Sequence, residues 1–287
     1  MGRLFKAFIF KVRRDATFRI TLIVGAGIAV FLTILYLILE NAMKDQLNGA
    51  KLLTGPTMLL NSFSPVQNFG IAIPVNLISF TCLEFTQGTI RNKIIAGNSK
   101  FKIYASLYLS GLVFAFALII VYAAICTGLG SIFGGFDLSK PISMMTGEPG
   151  FIDGIFILKY LLIVVVAYIS VVSFAIFVAT AFRNIGPCIP IVMIVLMICY
   201  ISVSIIAALP DFVGVSGVKT ALKIINPLYA LAGGAESNDT QQMFIANDTL
   251  IAGLISNLVY AGAFFTAGSL LFKKREKKNN VLVLMIV

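Results

Sequence analysis

The chain has 287 residues, of which 59% are hydrophobic and 12% charged, and its formal net charge is +10. The mean hydropathy of +0.99 excludes a water-soluble domain, which would need far more polar surface to cover its core. We therefore expect an all-α integral membrane protein. The basic residues are dispersed and form no nucleic-acid-binding motif, so we expect no nucleic-acid partner.

A basic amphipathic segment comes first, over residues 1–19. Leu4, Phe5, Phe8 and Ile9 share one face of a helix, and lysines and arginines occupy much of the rest. We expect this helix to lie in the cytoplasmic membrane interface. The alternative is a charged flank that only sets the orientation of the first span.

Six apolar runs follow, each long enough to cross about 30 Å of hydrocarbon. They are Ile20–Leu39, Pro65–Leu83, Ile103–Phe133, Ile155–Phe182, Cys188–Leu209 and Leu250–Phe272. They define an expected transmembrane domain over residues 20–272, followed by a basic tail over residues 273–287. The third and fourth runs are longer than a span requires, so we expect them to tilt or to continue beyond the bilayer.

The basic residues predict the orientation of these spans. Six spans place both termini on one side of the membrane. Of the 22 lysines and arginines, 16 fall on that side, in residues 3–19, 91–102, 183 and 273–278. By the positive-inside rule this side is the cytoplasm. We therefore expect a multi-pass protein of the bacterial plasma membrane with both termini cytoplasmic.

Strongly polar side chains are rare within the second span. Asn76 is the deepest of them, and a polar amide in a bilayer usually faces protein or a water-filled path. An ordinary interhelical hydrogen bond explains Asn76 equally well. Asn68, nearer the start of the span, could sit at the outer interface.

The external region of residues 210–249 precedes the last span. Pro210 and Pro227 break helices there, and we expect short re-entrant helices that dip into the outer leaflet and return.

The four cysteines form no recognisable site in the sequence. Cys82, Cys126, Cys188 and Cys199 lie within or at the ends of predicted spans, and their spacing fits no zinc or redox pattern. We interpret them as small apolar residues.

Several kinds of membrane chemistry are missing from the chain. The sequence has no histidine, and none of its 12 acidic residues lies in the middle third of a predicted span. A proton- or sodium-driven carrier normally needs such groups near the midplane, and an intramembrane enzyme needs ligands or catalytic groups at that depth. A GxxxxGK[ST] phosphate loop is also absent, so another polypeptide would have to supply the energy for uphill transport.

The polar segment between the second and third spans, residues 84–106, is the most informative part of the chain. Its charged residues exclude it from hydrocarbon, and Gly88 and Gly97 are expected to bracket a short cytosolic helix. We expect Glu84 to start this helix, because the helix dipole favours a carboxylate near an N-terminus. An apolar face for a partner is expected from Ile90, Ile94 and Ile95.

This segment resembles the coupling motif of permease subunits of type-2 ABC exporters. The matching positions are Glu84, Gly88, Thr89, Ile90, Arg91, Gly97, Ser99, Lys100, Ile103, Tyr104 and Ser106. The six-span layout, the interfacial N-terminal helix and the Asn226-Pro227 pair are also similar. The resemblance therefore covers nearly the whole chain, although only the coupling motif is specific.

The resemblance implies a coupling helix, at about residues 84–100, that docks on a separate cytosolic ABC ATPase. The implied coupling residues are Glu84, Gly88, Thr89, Ile90, Arg91, Lys93, Ile94, Gly97 and Lys100. ATP and Mg would be bound by that ATPase, so this chain would carry no cofactor and no catalytic residue of its own. The alternative is an amphipathic linker that lies on lipid headgroups.

The resemblance further implies a second copy of the chain, or a related permease, around a shared path. In that family the second and fifth spans line the path, which would bring Asn68, Asn76, Ser202 and Ser204 inward. A path with so few polar groups suits a hydrophobic or amphipathic substrate, and we favour an antimicrobial or toxin-like peptide. The competing hypothesis is an ATP-independent channel or secondary carrier.

Overall fold

The computed structural model is predominantly helical, as expected for an all-α membrane protein. It describes residues 2–14, 16–42, 53–63, 72–138, 151–208, 221–222, 224–229, 235–237 and 242–284. The helices are α1 (Gly2–Arg14), α2 (Ala16–Ala42), α3 (Gly55–Ser62), α4 (Ala72–Thr86), α5 (Thr89–Ile95), α6 (Lys100–Gly134), α7 (Gly154–Phe182), α8 (Ile185–Ala208) and α9 (Asn247–Leu284). The strands are β1 (Phe151–Ile152), β2 (Ala235–Ser237) and β3 (Gln242–Ile245).

Five helices in the described part of the chain are long and apolar enough to cross a membrane. Their spanning portions are Phe18–Ala42 in α2, Lys100–Gly134 in α6, Gly154–Phe182 in α7, Ile185–Val203 in α8 and Asn247–Arg275 in α9. They coincide with five of the six predicted apolar runs. The two runs expected to be over-long are helices of 35 and 29 residues.

The predicted second span, Pro65–Leu83, differs from the other five. Within it the structure describes only α4, whose 15 residues fall short of the roughly 20 needed to cross hydrocarbon. Residues 64–71, including part of the predicted span, lie outside the described residues. On the other side of this gap is the eight-residue helix α3, which the sequence analysis did not predict.

Local sequence and close packing explain α3. Thr54 caps its N-terminus, where the Thr54 Oγ1 atom accepts a hydrogen bond from the Thr57 backbone nitrogen at 3.3 Å, and Pro56 occupies the first turn. The helix lies against the C-terminal turns of α6, where glycine permits close approach. A methyl group on Gly130 would come within 2.7 Å of Met58 Cγ.

Together, α3 and α4 follow the length of α6 in the antiparallel direction. At one end the Gly55 backbone nitrogen donates to the Gly135 oxygen at 3.0 Å, beyond the last residue of α6. Farther along, Phe80 of α4 stacks on Phe114, in the first half of α6. The two short helices therefore lie one after the other beside a single long one.

Helix α7 is the most buried of the five long helices and packs against α4, α8 and α9. Lipid tails are as apolar as leucine, so interhelical packing rather than escape from water stabilises such contacts. Small residues make the packing close. A methyl group on Gly111 of α6 would lie 2.8 Å from the Ile176 Cδ1 atom of α7.

Basic residues gather at one end of the helix bundle, which we call the basic end. There the Arg183 guanidinium lies 5.0 Å from the centre of the Phe85 ring, and Arg275 of α9 donates a hydrogen bond to the Ala181 oxygen at the end of α7. Helices α1 and α5 both contact α6, and Phe8 of α1 lies against Lys93 of α5. The prediction that this end of the bundle faces the cytoplasm depends on this clustering of basic residues. The orientation remains a prediction.

The opposite end carries a small three-stranded sheet, and two of its strands, β2 and β3, lie in the region where re-entrant helices were expected. Strand β3 is central, parallel to β1 and antiparallel to β2. Lys159 of α7 joins this sheet to α9, because its Nζ atom lies 3.0 Å from the Ile245 oxygen and 2.8 Å from Asn247 Oδ1. These strands were not predicted from the sequence, because they are too short for an alternation of apolar and polar residues to be recognised.

The Asn226-Pro227 segment lies between α8 and α9. The Asn226 Nδ2 atom donates to the Cys199 oxygen at 2.6 Å and to Ser202 Oγ at 2.8 Å. Asn257 of α9 donates to the Pro227 oxygen at 2.9 Å. Because Asn257 is ten residues beyond the first residue of α9, this contact is about 15 Å along that helix. Much of the region expected to hold re-entrant helices, including residues 209–220 and 230–234, lies outside the described residues.

Candidate coupling site

The expected short helix is present between two glycines. Helix α4 ends at Thr86, Gly88 adopts a left-handed conformation with φ of 67°, and α5 follows immediately. Gly97 is also left-handed, with φ of 79°, and ends the segment before Ser99 caps α6. Residues with a Cβ atom rarely adopt this conformation, so the two glycines fix where α5 begins and ends.

Glu84 does not start α5, as the sequence analysis expected. It lies in the last turn of α4 and its side chain is 0% exposed. The Glu84 Oε2 atom lies 3.0 Å from Lys93 Nζ and 2.8 Å from Thr89 Oγ1. The prediction was wrong because α4 continues until the turn at Gly88, so Glu84 binds side chains of α5 from the preceding helix.

Lys93 also joins α5 to the N-terminal helix. Its Nζ atom lies 3.2 Å from the centre of the Phe8 ring, a cation–π contact. Phe8 is 0% exposed, whereas Phe10, two residues later, is 58% exposed. Phe8, in the apolar face predicted for α1, therefore packs inward, and α1, α4 and α5 meet around one lysine.

The apolar face predicted for α5 is divided between two directions. Ile90 is 3% exposed and Ile94 packs against the core, whereas Ile95 is 74% exposed. The prediction of one outward face was therefore wrong, because the bundle buries the first two isoleucines. Exposed side chains of α5 and of the first turn of α6 are together called the coupling surface: Arg91, Asn92, Ile95, Phe101 and Lys102.

The remaining predicted coupling residues have structural positions around α5. Gly88 and Gly97 are its boundary glycines, Thr89 is its first residue, and Lys100 is the partly exposed first residue of α6. Their role in binding an ATPase stays a prediction. Among the described residues, no three Cys, Asp or Glu side chains come together as a metal site.

The predicted path residues make hydrogen bonds within the chain. Asn76 Oδ1 accepts from Thr21 Oγ1 of α2 at 2.8 Å, and its Nδ2 donates to the Ala72 oxygen at 2.8 Å. Ser202 Oγ accepts from Asn226. Asn68 and the side chain of Ser204 lie outside the described residues. For Asn76, the alternative of an interhelical hydrogen bond is therefore the arrangement found.

Replacing Asn76 by leucine should destabilise the protein by about 1 kcal/mol, because it removes the hydrogen bond between α2 and α4. Thr21→Val removes the same bond from the other side. In the double variant the two losses should not add, and unfolding titrations in detergent would measure the coupling. Fully additive losses would show that the two side chains do not stabilise each other.

Three residues important to this arrangement were not singled out as coupling or path residues in the sequence. They are Phe8, Thr21 and Phe101. Phe8 and Thr21 act through partners 85 and 55 residues away, so no local pattern identifies the pairings. For Phe101, the useful signal is its place in the polar segment, next to Lys100 and Lys102.

No protein-family model matches the chain, and no curated protein or solved structure matches it significantly.

Proposed function

We propose that this chain is the permease subunit of an ATP-driven exporter. A separate ABC ATPase would supply the energy and bind α5 and its surroundings. The observation that carries the proposal is the coupling motif, whose segment forms a short helix with an exposed face at the basic end of the bundle. ATP and Mg belong to the partner, so the chain itself is a transport subunit without a catalytic site.

The coupling surface has the composition of a protein-binding patch. Ile95 and Phe101 are 74% and 57% exposed, and Arg91 and Lys102 are also exposed. Apolar and aromatic anchors beside arginine are typical of the energetically dominant part of an interface. A linker that only lies on lipid headgroups would not need the buried contacts that hold α5 in place.

Movement of α5 would be transmitted through those buried contacts. The Glu84–Lys93 pair joins α5 to α4, and the contact between Lys93 and Phe8 joins it to α1. A partner that displaces α5 would therefore pull on α4, which packs against α7 and α8. This is the physical connection that an ATPase at the coupling surface requires.

On this proposal, α3 and α4 together form the second of six spans, and both termini are cytoplasmic in a bacterial plasma membrane. A second copy, or a related permease, completes the path. The partly exposed side of α4, which includes Ser79 and Leu83, would face that path. Its mixed character suits a hydrophobic or amphipathic substrate, and we favour an antimicrobial or toxin-like peptide.

The affinity-tagged chain, purified from its native membrane, should carry a vanadate-sensitive, Mg-dependent ATPase activity. This activity should elute with the chain and be absent from a mock purification of untagged membranes. A channel or secondary carrier, the competing hypothesis, predicts transport without co-eluting ATP hydrolysis. Purified chain that transports with no associated ATPase would favour that alternative.

A further inference from the structure

Two cysteines far apart in the sequence meet near the basic end of the bundle. The Sγ atoms of Cys82 and Cys188 are 3.9 Å apart, and both side chains are 0% exposed. Cys82 lies one turn before the end of α4, and Cys188 lies in the first turn of α8. Apolar side chains of α4, α7 and α8 surround the pair.

We propose that Cys82 and Cys188 form an oxidation-sensitive cross-link between α4 and α8. The sulfur atoms of a disulfide are about 2.05 Å apart, so these two must approach by roughly 2 Å. Formation of the bond therefore requires rotation of the side chains and a small shift of the first turn of α8. The sequence spacing gave no sign of the site, because the two thiols are 106 residues apart.

The oxidant is hydrogen peroxide, the simplest membrane-permeant hydroperoxide. The thiolate of one cysteine attacks a peroxide oxygen and the O–O bond breaks, giving a sulfenic acid and, after protonation, water. The second thiol then attacks the sulfenic sulfur, the S–S bond forms, and the hydroxyl group leaves as water. Overall the two thiols lose two protons and two electrons, and the peroxide is reduced to two waters.

Burial ties this reaction to movement of the helices. Both thiols are inaccessible when α4 and α8 are in contact, so the first step takes place when the helices separate transiently. The second step takes place when they return to contact. On the proposed transport function, the cross-link would fix to α8 the helix that carries Glu84, and export would stop until a thiol reductant restores the two cysteines.

The test is chemical mapping of the full-length chain in lipid nanodiscs after hydrogen peroxide treatment, thiol alkylation and digestion without reduction. We expect a peptide pair joined through Cys82 and Cys188, at least about ten times more abundant than any linked product of Cys126 or Cys199, because proximity favours the closest thiols. Dithiothreitol should separate the pair. The oxidised chain should also unfold at a temperature about 5 °C or more higher, and Cys188→Ser should show no such shift.

Independent oxidation of the four cysteines, with no peptide pair, would overturn the proposal, as would a cross-link that leaves the unfolding temperature unchanged. The mapping involves no ATP, so its failure leaves the proposed transport function untouched. Conversely, a chain that forms the cross-link but binds no ATPase would contradict the transport function alone.

Discussion

Replacing Lys93 by methionine should destabilise the protein by about 3–5 kcal/mol, because it removes the ammonium group that lies next to the buried carboxylate of Glu84. Glu84 is 0% exposed and its Oε2 atom lies 3.0 Å from Lys93 Nζ. Methionine retains much of the apolar stem, so loss of the charge should dominate the effect. Unfolding titrations in detergent would measure the change, with Lys102→Met as the exposed control.

The double variant Glu84→Gln/Lys93→Met separates the ion pair from other effects. It removes both charges, so it should recover most of the stability that Lys93→Met loses. If Lys93→Met were as stable as the Lys102→Met control, the pair would not hold α5 against α4, and the proposed connection between them would fail.

Combining Arg91→Glu with Ile95→Glu should weaken binding of the partner ATPase by about 100-fold, or about 2.7 kcal/mol. Both side chains are exposed, so the variant should fold normally and keep the unfolding temperature of the original chain. Glutamate removes an apolar anchor at one position and reverses the charge at the other. Binding of the purified ATPase to nanodiscs that contain the chain would measure the loss.

Lys274→Glu is the matched control for that variant. It also reverses an exposed basic charge, but on α9 and outside the coupling surface. Its ATPase affinity should remain within about two-fold of the original, since isolated surface charges contribute little. Equal losses in both variants would indicate a general charge effect and contradict docking at the coupling surface.

The sequence alone was sufficient to predict features that depend on local composition. Long apolar runs locate α2, α6, α7, α8 and α9, since about 20 consecutive apolar residues are enough to identify a candidate span. Gly88 and Gly97 locate the ends of α5, because glycine is the residue that most readily adopts a left-handed conformation. Both glycines adopt it in the structure. In both cases the decisive chemistry lies within a few residues of the feature it determines.

Features that depend on distant partners could not be predicted. Glu84 and Lys93 are nine residues apart, but the sequence does not show that the turn at Gly88 brings them together. The inward direction of Ile90 and the outward direction of Ile95 depend on where the bundle lies. A polar residue at position 76 fits both a path-lining role and an interhelical hydrogen bond. The position of Thr21 on α2 shows that Asn76 makes the hydrogen bond.

The central claim is that α5 docks on an ATP-binding subunit, and site-specific photo-cross-linking in native membranes tests it most directly. A benzophenone amino acid at position 95, on the coupling surface, should cross-link to a polypeptide that is also labelled by azido-ATP. The same probe at position 258, on the exposed apolar side of α9, should not. Cross-linking at position 95 only to lipid, or only to proteins that azido-ATP does not label, would contradict the claim.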